Sequence, residues 1–199
     1  LTAFSNTTSP TSDFTGTAGE SYTLRWTLTN GVCAVSSDEV EITIDADPTV
    51  ANAGADQTGV SAVCGTSTAL TGNSATTGNG LWSIVTGDGN GAFVDPTSPT
   101  TLFTGSEEFT YTLRWTISNG VCVASTSDVA IEFDADPTVS DAGLDQQVCG
   151  STGLPVSLSA NAPVFTGETG AWSFVVNPDG LPLTAFSNTT SPTSDFTGT

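Results

Sequence analysis

The chain has 199 residues, with 21 Asp and Glu, two Arg, no His or Lys, and a formal net charge of −19. Two arginines cannot neutralise a nucleic-acid backbone, and an anionic membrane surface would repel so acidic a chain. The lack of His argues against general acid–base catalysis near neutral pH. We therefore expect no nucleic-acid binding, no membrane insertion of this segment and no enzymatic activity.

The composition favours β-structure. The chain contains 36 Thr, 23 Ser, 21 Gly and 10 Pro, which disfavour long helices and suit short strands joined by turns. Its hydrophobic content of 37% and its four Trp are too high for a disordered acidic tail. We therefore predict a folded and mostly β protein.

The sequence repeats at two levels. Residues 183–199 reproduce residues 1–17 letter for letter, at an offset of 182 residues. Within that period, SYTLRWTLTNGVC at 21–33 returns as TYTLRWTISNGVC at 110–122. The unit is a module of about 90 residues, and two diverged modules form one 182-residue period.

Two DADP motifs, at 45–48 and 134–137, divide the chain. Asp-Pro steps followed by small residues are typical of linkers. They predict the C-terminal part of one module over 1–47, a complete module over 48–136 and the N-terminal part of the next module over 137–199. Because the chain begins and stops at the same point of the cycle, we expect it to be a segment of a longer periodic polymer.

Short alternating runs between turn signals predict about seven strands in the complete module. In chain order they cover 57–63, 68–71, 81–85, 92–94, 101–103, 109–117 and a returning strand that carries Val129, Ile131 and Phe133 inward. The clearest run directs alternate residues inward, namely Phe109, Tyr111, Leu113, Trp115 and Ile117. Asn119-Gly120 predicts a tight two-residue hairpin turn. The pattern has the size of an immunoglobulin-like β-sandwich.

Three further predictions concern the sandwich. Leu70 and Leu113 occupy the positions of the inter-sheet cysteines of antibody domains, so the centre should be hydrophobic, with Trp82 and Trp115 filling it. Tyr111 stands near the start of its strand, where a tyrosine hydroxyl often bonds back to the backbone. The two arginines, Arg25 and Arg114, share one outward position and should lie along the sheet against acidic side chains.

Four sequence patterns together resemble a known module family. They are YTLRWT-x-x-NGVC, DPTV-x-x-AG-x-DQ, CG-[ST] and FTG. They are similar to the PKD-like, immunoglobulin-like modules of very large bacteroidete surface proteins, in particular the gliding-motility adhesins of flavobacteria, and the resemblance covers the whole chain. It implies an extracellular filament on the bacterial cell surface, anchored at the outer membrane, exported by the type IX pathway and moved by the surface gliding machinery. The implied partners are neighbouring modules, that gliding and secretion machinery, and an external substratum or polysaccharide.

The four cysteines form two classes. Cys64 and Cys149 precede the second strand of a module, and Cys33 and Cys122 follow the Asn-Gly pair. One of each class per module, in an extracellular acidic β protein, suggests one disulfide per module. The predicted bond within this chain is Cys64–Cys122, and Cys33 and Cys149 would pair with residues outside it. Since the first loop and the last hairpin turn of a sandwich lie at opposite ends, a bond between neighbouring modules is the alternative.

Aspartates gather at both linkers. The candidate calcium ligands are Asp45, Asp47 and Asp56 at the first linker and Asp134, Asp136 and Asp145 at the second. Asp-x-Asp followed about ten residues later by another Asp suits an oxygen-seeking calcium ion between modules. A solvated acidic surface without a bound ion is the alternative.

Three kinds of function fit these features to different degrees. The leading one is structural, because tandem modules that contact chiefly their neighbours build a long filament. A carbohydrate-binding or other ligand-binding module would need exposed aromatic platforms, whereas the aromatic residues here fall at inward positions. An enzyme that cleaves glycosides with paired carboxylates is disfavoured, because the acids recur at each linker and no base activates a Ser, Thr or Cys nucleophile.

Overall fold

The computed structural model describes residues 3–149, 154–177 and 179–197. Its strands are β1 (Glu20–Leu28), β2 (Ser36–Ile44), β3 (Val63–Cys64), β4 (Ser67–Ala69), β5 (Asn79–Thr86), β6 (Ala92–Phe93), β7 (Leu102–Thr104), β8 (Phe109–Ser118), β9 (Ser125–Asp134), β10 (Val156–Ser157) and β11 (Asp195–Phe196). Two single-turn 3-10 helices cover Gly59–Ser61 and Leu183–Ala185. The chain forms two compact units, Leu1–Asp134 and Ala135–Thr199, whose boundary falls inside the second DADP motif.

The complete module is a sandwich of two sheets. One sheet has the order β3-β9-β8-β5 and the other has the order β4-β7-β6. All neighbouring strands are antiparallel except β3, which runs parallel to β9. This is the strand order of an immunoglobulin-like sandwich whose first strand has joined the sheet of the last strands. The predicted all-β, immunoglobulin-like fold is confirmed.

The inner face of β8 and β9 forms half of the core. Its buried residues are at most 2% exposed and comprise Tyr111, Leu113, Trp115, Ile117, Val129, Ile131 and Phe133. They alternate along each strand because successive side chains of a strand point to opposite faces. Phe109 is the exception to the predicted set, since this first residue of β8 is 46% exposed.

Aromatic rings join the two sheets. Phe103 and Phe93 of the smaller sheet lie 5.2 Å from Tyr111 and 6.3 Å from Trp82 of the larger one. Within the larger sheet, the Trp82 and Trp115 rings are neighbours 5.0 Å apart. The indole N–H of Trp115 donates to the backbone oxygen of Asn73 at 3.1 Å, which satisfies its polar atom inside the core. Leu70 and Leu113 are also buried, so the predicted hydrophobic centre is confirmed.

The Tyr111 hydroxyl ties its strand to the preceding loop. It accepts a hydrogen bond from the backbone N–H of Ser106 at 2.8 Å, as the sequence predicts. The Tyr22 hydroxyl accepts one from the N–H of Thr17 at the same distance, so the feature recurs in the other module. The repeat therefore preserves a specific loop closure as well as a core.

The Tyr111 hydroxyl also donates to the carboxylate of Asp88. Hydrogen bonds from Ser106, Tyr111 and Asn90 hold the pKa of Asp88 well below its ordinary value. Its contribution to stability is therefore present above that ordinary value and is lost as the pH falls below it.

Two local predictions differ from the structure. The Asn119-Gly120 pair does not form a two-residue turn, because β8 ends at Ser118 and β9 begins only at Ser125. Asn119 instead uses its side-chain amide to bind the linker, as described below. The predicted first strand, 57–63, is a single bridge at Gln57, a 3-10 turn and the short β3.

The incomplete modules keep parts of the same design. The β1–β2 hairpin is paired over nine positions, like β8–β9, but Trp26 is 40% exposed where its counterpart Trp115 is 1% exposed. In the second unit, the Trp172 ring lies 6.4 Å from the ring of Phe186. The Trp172 indole donates to Ser191, as that of Trp82 donates to the backbone oxygen of Pro99.

We predict that Tyr111→Phe lowers the free energy of unfolding by about 1–3 kcal/mol, because it removes a buried hydroxyl that makes two hydrogen bonds. Tyr22→Phe is the matched control, since Tyr22 is only half-buried. Urea denaturation of both variants measures the difference. An equal loss in the two variants would contradict the assignment of the larger role to Tyr111.

Candidate functional site at the joint between repeats

The candidate functional site is the joint where the β1–β2 hairpin leads into the complete module. We define the joint loop as residues 119–124, which connect β8 to β9. A carboxylate oxygen of Asp45 accepts the backbone N–H of Val121 at 2.9 Å, and the Asn119 side chain donates to the oxygen of Ala46 at 2.8 Å. The Cys122 thiol lies 3.6 Å from the oxygen of Asp45, within reach of a weak S–H hydrogen bond. Three contacts thus bind the linker to the joint loop of the next module.

The linker then enters the module itself. The backbone N–H groups of Ala51 and Ala53 donate to the hydroxyls of Ser125 and Ser127, at 2.9 and 3.1 Å. Both alanines belong to the hydrophobic core. The chain between the hairpin and the module is therefore held along β9 and is not a free tether.

Gly120 permits the close approach of Asp45. Its φ is +52°, and a Cβ placed on it would lie 1.7 Å from a carboxylate oxygen of Asp45. The equivalent Gly31 has a φ of +55° and nothing within 4 Å of such a Cβ. Glycine is thus required for backbone conformation at both positions and for space only at Gly120.

The predicted calcium ligands of the first linker do not converge. Asp45 binds the joint loop, whereas Asp56 accepts the N–H of Ala130 in the middle of β9 at 2.9 Å. In the part of the chain that the structure describes, no group of three acidic, Cys or His side chains could hold a metal ion. At the second linker, Asp134 ends β9, and Asp136 and Asp145 belong to the second unit. The residues do not fit a preformed calcium site in this arrangement, and calcium binding stays a prediction.

The structure corrects the predicted Cys64–Cys122 bond. Cys122 lies beside Asp45, and Cys64 pairs in register with Asp134 at the far end of β9. A ten-residue strand such as β9 spans about 30 Å, whereas a disulfide joins Cα atoms about 4.4–6.8 Å apart. None of the four cysteines forms a disulfide in the described chain, and Cys33 and Cys149 lie on its surface.

Burial raises the pKa of the Cys122 thiol, and the charges of Asp47 and Asp45 raise it further. The thiol is therefore protonated at neutral pH, which allows its S–H group to point at the carbonyl oxygen of Asp45. The linker aspartates act on this cysteine as well as on the loop backbone.

Both arginines lie on the outer face of their hairpins. Arg114 donates to Asp128 at 2.7 and 2.8 Å, and Arg25 donates to Glu39 through its Nε at 2.8 Å. Hydrogen bonding to Asp128 raises the pKa of Arg114, and the same contact lowers the pKa of Asp128. The predicted contacts with acids along the sheet are confirmed. The arginine side chains are thus engaged within the chain and not presented as anchors for a ligand.

Two grooves correspond to the incomplete sandwiches. One, of about 900 Å³, is lined in the second unit by residues that include Trp172, Asn161 and Glu168. The other lies between the 3–14 segment and β1–β2, against Trp26. In the complete module, the counterparts Trp82 and Trp115 pack on each other and fill this space. Each groove is therefore the unfilled core of an incomplete sandwich and offers no evidence for a ligand site.

A repeated Asn-Gly pair marks the joint in the sequence, although short-range turn preferences predict a different role for it. Asn-Gly occurs at the same place in both modules, at 30–31 and 119–120, and suggests a tight turn. The structure shows that its function at 119–120 is a contact with residues more than seventy positions earlier in the chain.

We predict that Gly120→Ala destabilises the first unit more than Gly31→Ala does. Each substitution places a side chain at positive φ, which costs about 1–2 kcal/mol, but only the first also displaces Asp45. Thermal melting of the two variants checks this. Equal melting temperatures would show that the contact between Asp45 and the joint loop contributes nothing.

The calcium prediction has a direct test. If the linkers bind calcium, the melting temperature is higher in calcium than in the same concentration of magnesium, and Asp47→Asn reduces the difference. Magnesium controls for simple screening of the −19 charge. Equal melting temperatures in the two ions would contradict the prediction.

No protein-family model and no curated protein sequence matches the chain. Among solved structures, the chain is similar to the extracellular domain of protocadherin gammaB4, with 13% identity and a TM-score of 0.33. The match covers 89% of this chain and 34% of that one, so this chain spans about a third of the protocadherin chain. No helix among the described residues is long and apolar enough to cross a membrane.

Proposed function

We propose that this chain is a structural repeat segment of a very long extracellular filament, a surface adhesin of the SprB type that serves gliding motility and attachment. The observation that carries the proposal is the joint. The linker from one repeat is hydrogen-bonded to the joint loop of the next, and it continues into the core of that module. Joints of this kind resist bending, so a tandem array of them would be extended.

The surface of the chain suits such a filament. The strongly acidic surface repels neighbouring filaments of the same kind, which keeps them from clumping side by side. The two Trp residues of the complete module, Trp82 and Trp115, are buried and so cannot serve as a platform for sugars, and Phe109 is a single exposed ring. The carbohydrate-binding alternative therefore has no support from the complete module.

Export and attachment complete the proposal. The filament would leave the cell by the type IX pathway, be anchored at the outer membrane and be moved by the gliding machinery. These steps follow from the family resemblance of the sequence motifs. The first linker indicates how a force applied at one module would be carried to the next, because its Asp45 end and its Ala51 end are both bound to the module that follows.

The test has two arms. Deletion of the gene should remove long surface filaments from electron micrographs of the cells and should abolish gliding, and the complemented strain is the control. If the filaments are lost but gliding is normal, the structural role is supported and the motility role is overturned. Unchanged filaments would overturn the whole proposal.

A further inference from the structure

We propose that successive repeats are joined by a disulfide between the Cys64-type cysteine of one module and the Cys122-type cysteine of the following module. The inference depends on the tandem arrangement within the proposed function, but not on what the filament does for the cell. It assigns a covalent modification to the joint described above.

The first observation concerns the C-terminal end of the module. Cys64 lies opposite Asp134 in the β3–β9 pair, and the N–H of the adjacent Gly65 donates to the oxygen of Asp134 at 2.9 Å. Asp134 is the first residue of the second DADP motif. Cys64 is therefore held beside the linker that leaves its module.

The second observation concerns the N-terminal end of the module. The Cys122 sulfur lies 3.6 Å from the oxygen of Asp45, which is the first residue of the first DADP motif. Cys122 is therefore held beside the linker that enters its module. The two cysteine classes therefore lie at the same linker position, one in the module before the linker and the other in the module after it.

These observations combine because Asp45 and Asp134 are equivalent residues of successive repeats. At a joint with a complete module on each side, the Gly65-type nitrogen and the Cys122-type sulfur would contact one carbonyl oxygen, at 2.9 and 3.6 Å. These two atoms would then lie at most about 6.5 Å apart, and the Cys64-type residue is bonded directly to that nitrogen. At this distance, a small rotation of the two cysteine side chains would bring their sulfur atoms close enough to form a disulfide.

The 182-residue period assigns the partners. Cys64 would pair with the Cys33 of the next period, and Cys149 would pair with the Cys122 of the next period. Each partner lies one period further along, so neither bond can form inside a single copy.

The reaction needs an oxidant of the disulfide class. Two thiols lose two protons and two electrons, one S–S bond forms, and the disulfide of the oxidant is reduced to two thiols. The exposed Cys64 is open to the oxidant and forms the mixed disulfide first. The Cys122-type sulfur, already at the joint, then displaces the second thiol.

The experiment uses two copies of the chain in one polypeptide, residues 1–199 followed directly by a second copy of residues 18–199. This join continues the period, because residues 183–199 are identical to residues 1–17. The protein is oxidised with oxidised glutathione, digested without reduction and mapped by mass spectrometry. We expect two cross-linked peptides, Cys64 with Cys33 of the second copy, and Cys149 with Cys122 of the second copy.

Controls separate the outcomes. The single 199-residue chain, treated in the same way, should yield no Cys64–Cys122 peptide. In the two-copy protein, Cys64→Ser should remove only the first cross-link and leave the second as an internal control for folding. A Cys64–Cys122 bond within one copy, or eight thiols that stay reduced, would overturn the inference. Neither result bears on the gene-deletion test, so the two proposals can fail separately.

Discussion

The hydrogen bond from the Val121 backbone to the Asp45 carboxylate is the contact on which the rest of the arrangement depends. It joins residues 76 positions apart and brings the end of one hairpin onto the joint loop of the next module. Gly120 makes room for it, and Asn119 adds a second bond to the same linker. Because the linker then continues along β9 into the core, the boundary at residues 45–53 is a packed joint.

The acidic charge is compatible with this fold because of where it lies. The inner faces of β8 and β9 are apolar, and the acids stand on the outer faces, in loops and at linkers. Some carboxylates make specific hydrogen bonds. Asp88 accepts one from the Tyr111 hydroxyl, and Asp56 accepts one from the backbone N–H of Ala130. The remaining charge repels like surfaces, as the proposed filament would require.

The unit of folding is the module, while the unit of sequence identity is the pair of modules. The core of the complete module is built from rings of both sheets, so neither sheet can bury them alone. Trp26 shows the consequence, since it keeps the position of Trp115 yet stays 40% exposed in a two-stranded sheet, where no strand takes the place of β5 with its Trp82. In the proposed array of whole modules each of these faces would be buried within its own module, which would link repetition to stability.

The sequence by itself determined the period, the fold class and most of the core. Strict alternation along 109–117 identified the buried face because it depends only on the two-residue period of a strand, and the Tyr111 closure is equally local. The tertiary structure alone decided the joint. The role of Asn119, the separation of Asp45 from Asp56 and the location of Cys64 and Cys122 at opposite ends all depend on which distant segments meet. Spacing along the chain does not predict these long-range contacts, because they depend on how the two sheets pack and on the direction in which β9 runs between the two linkers.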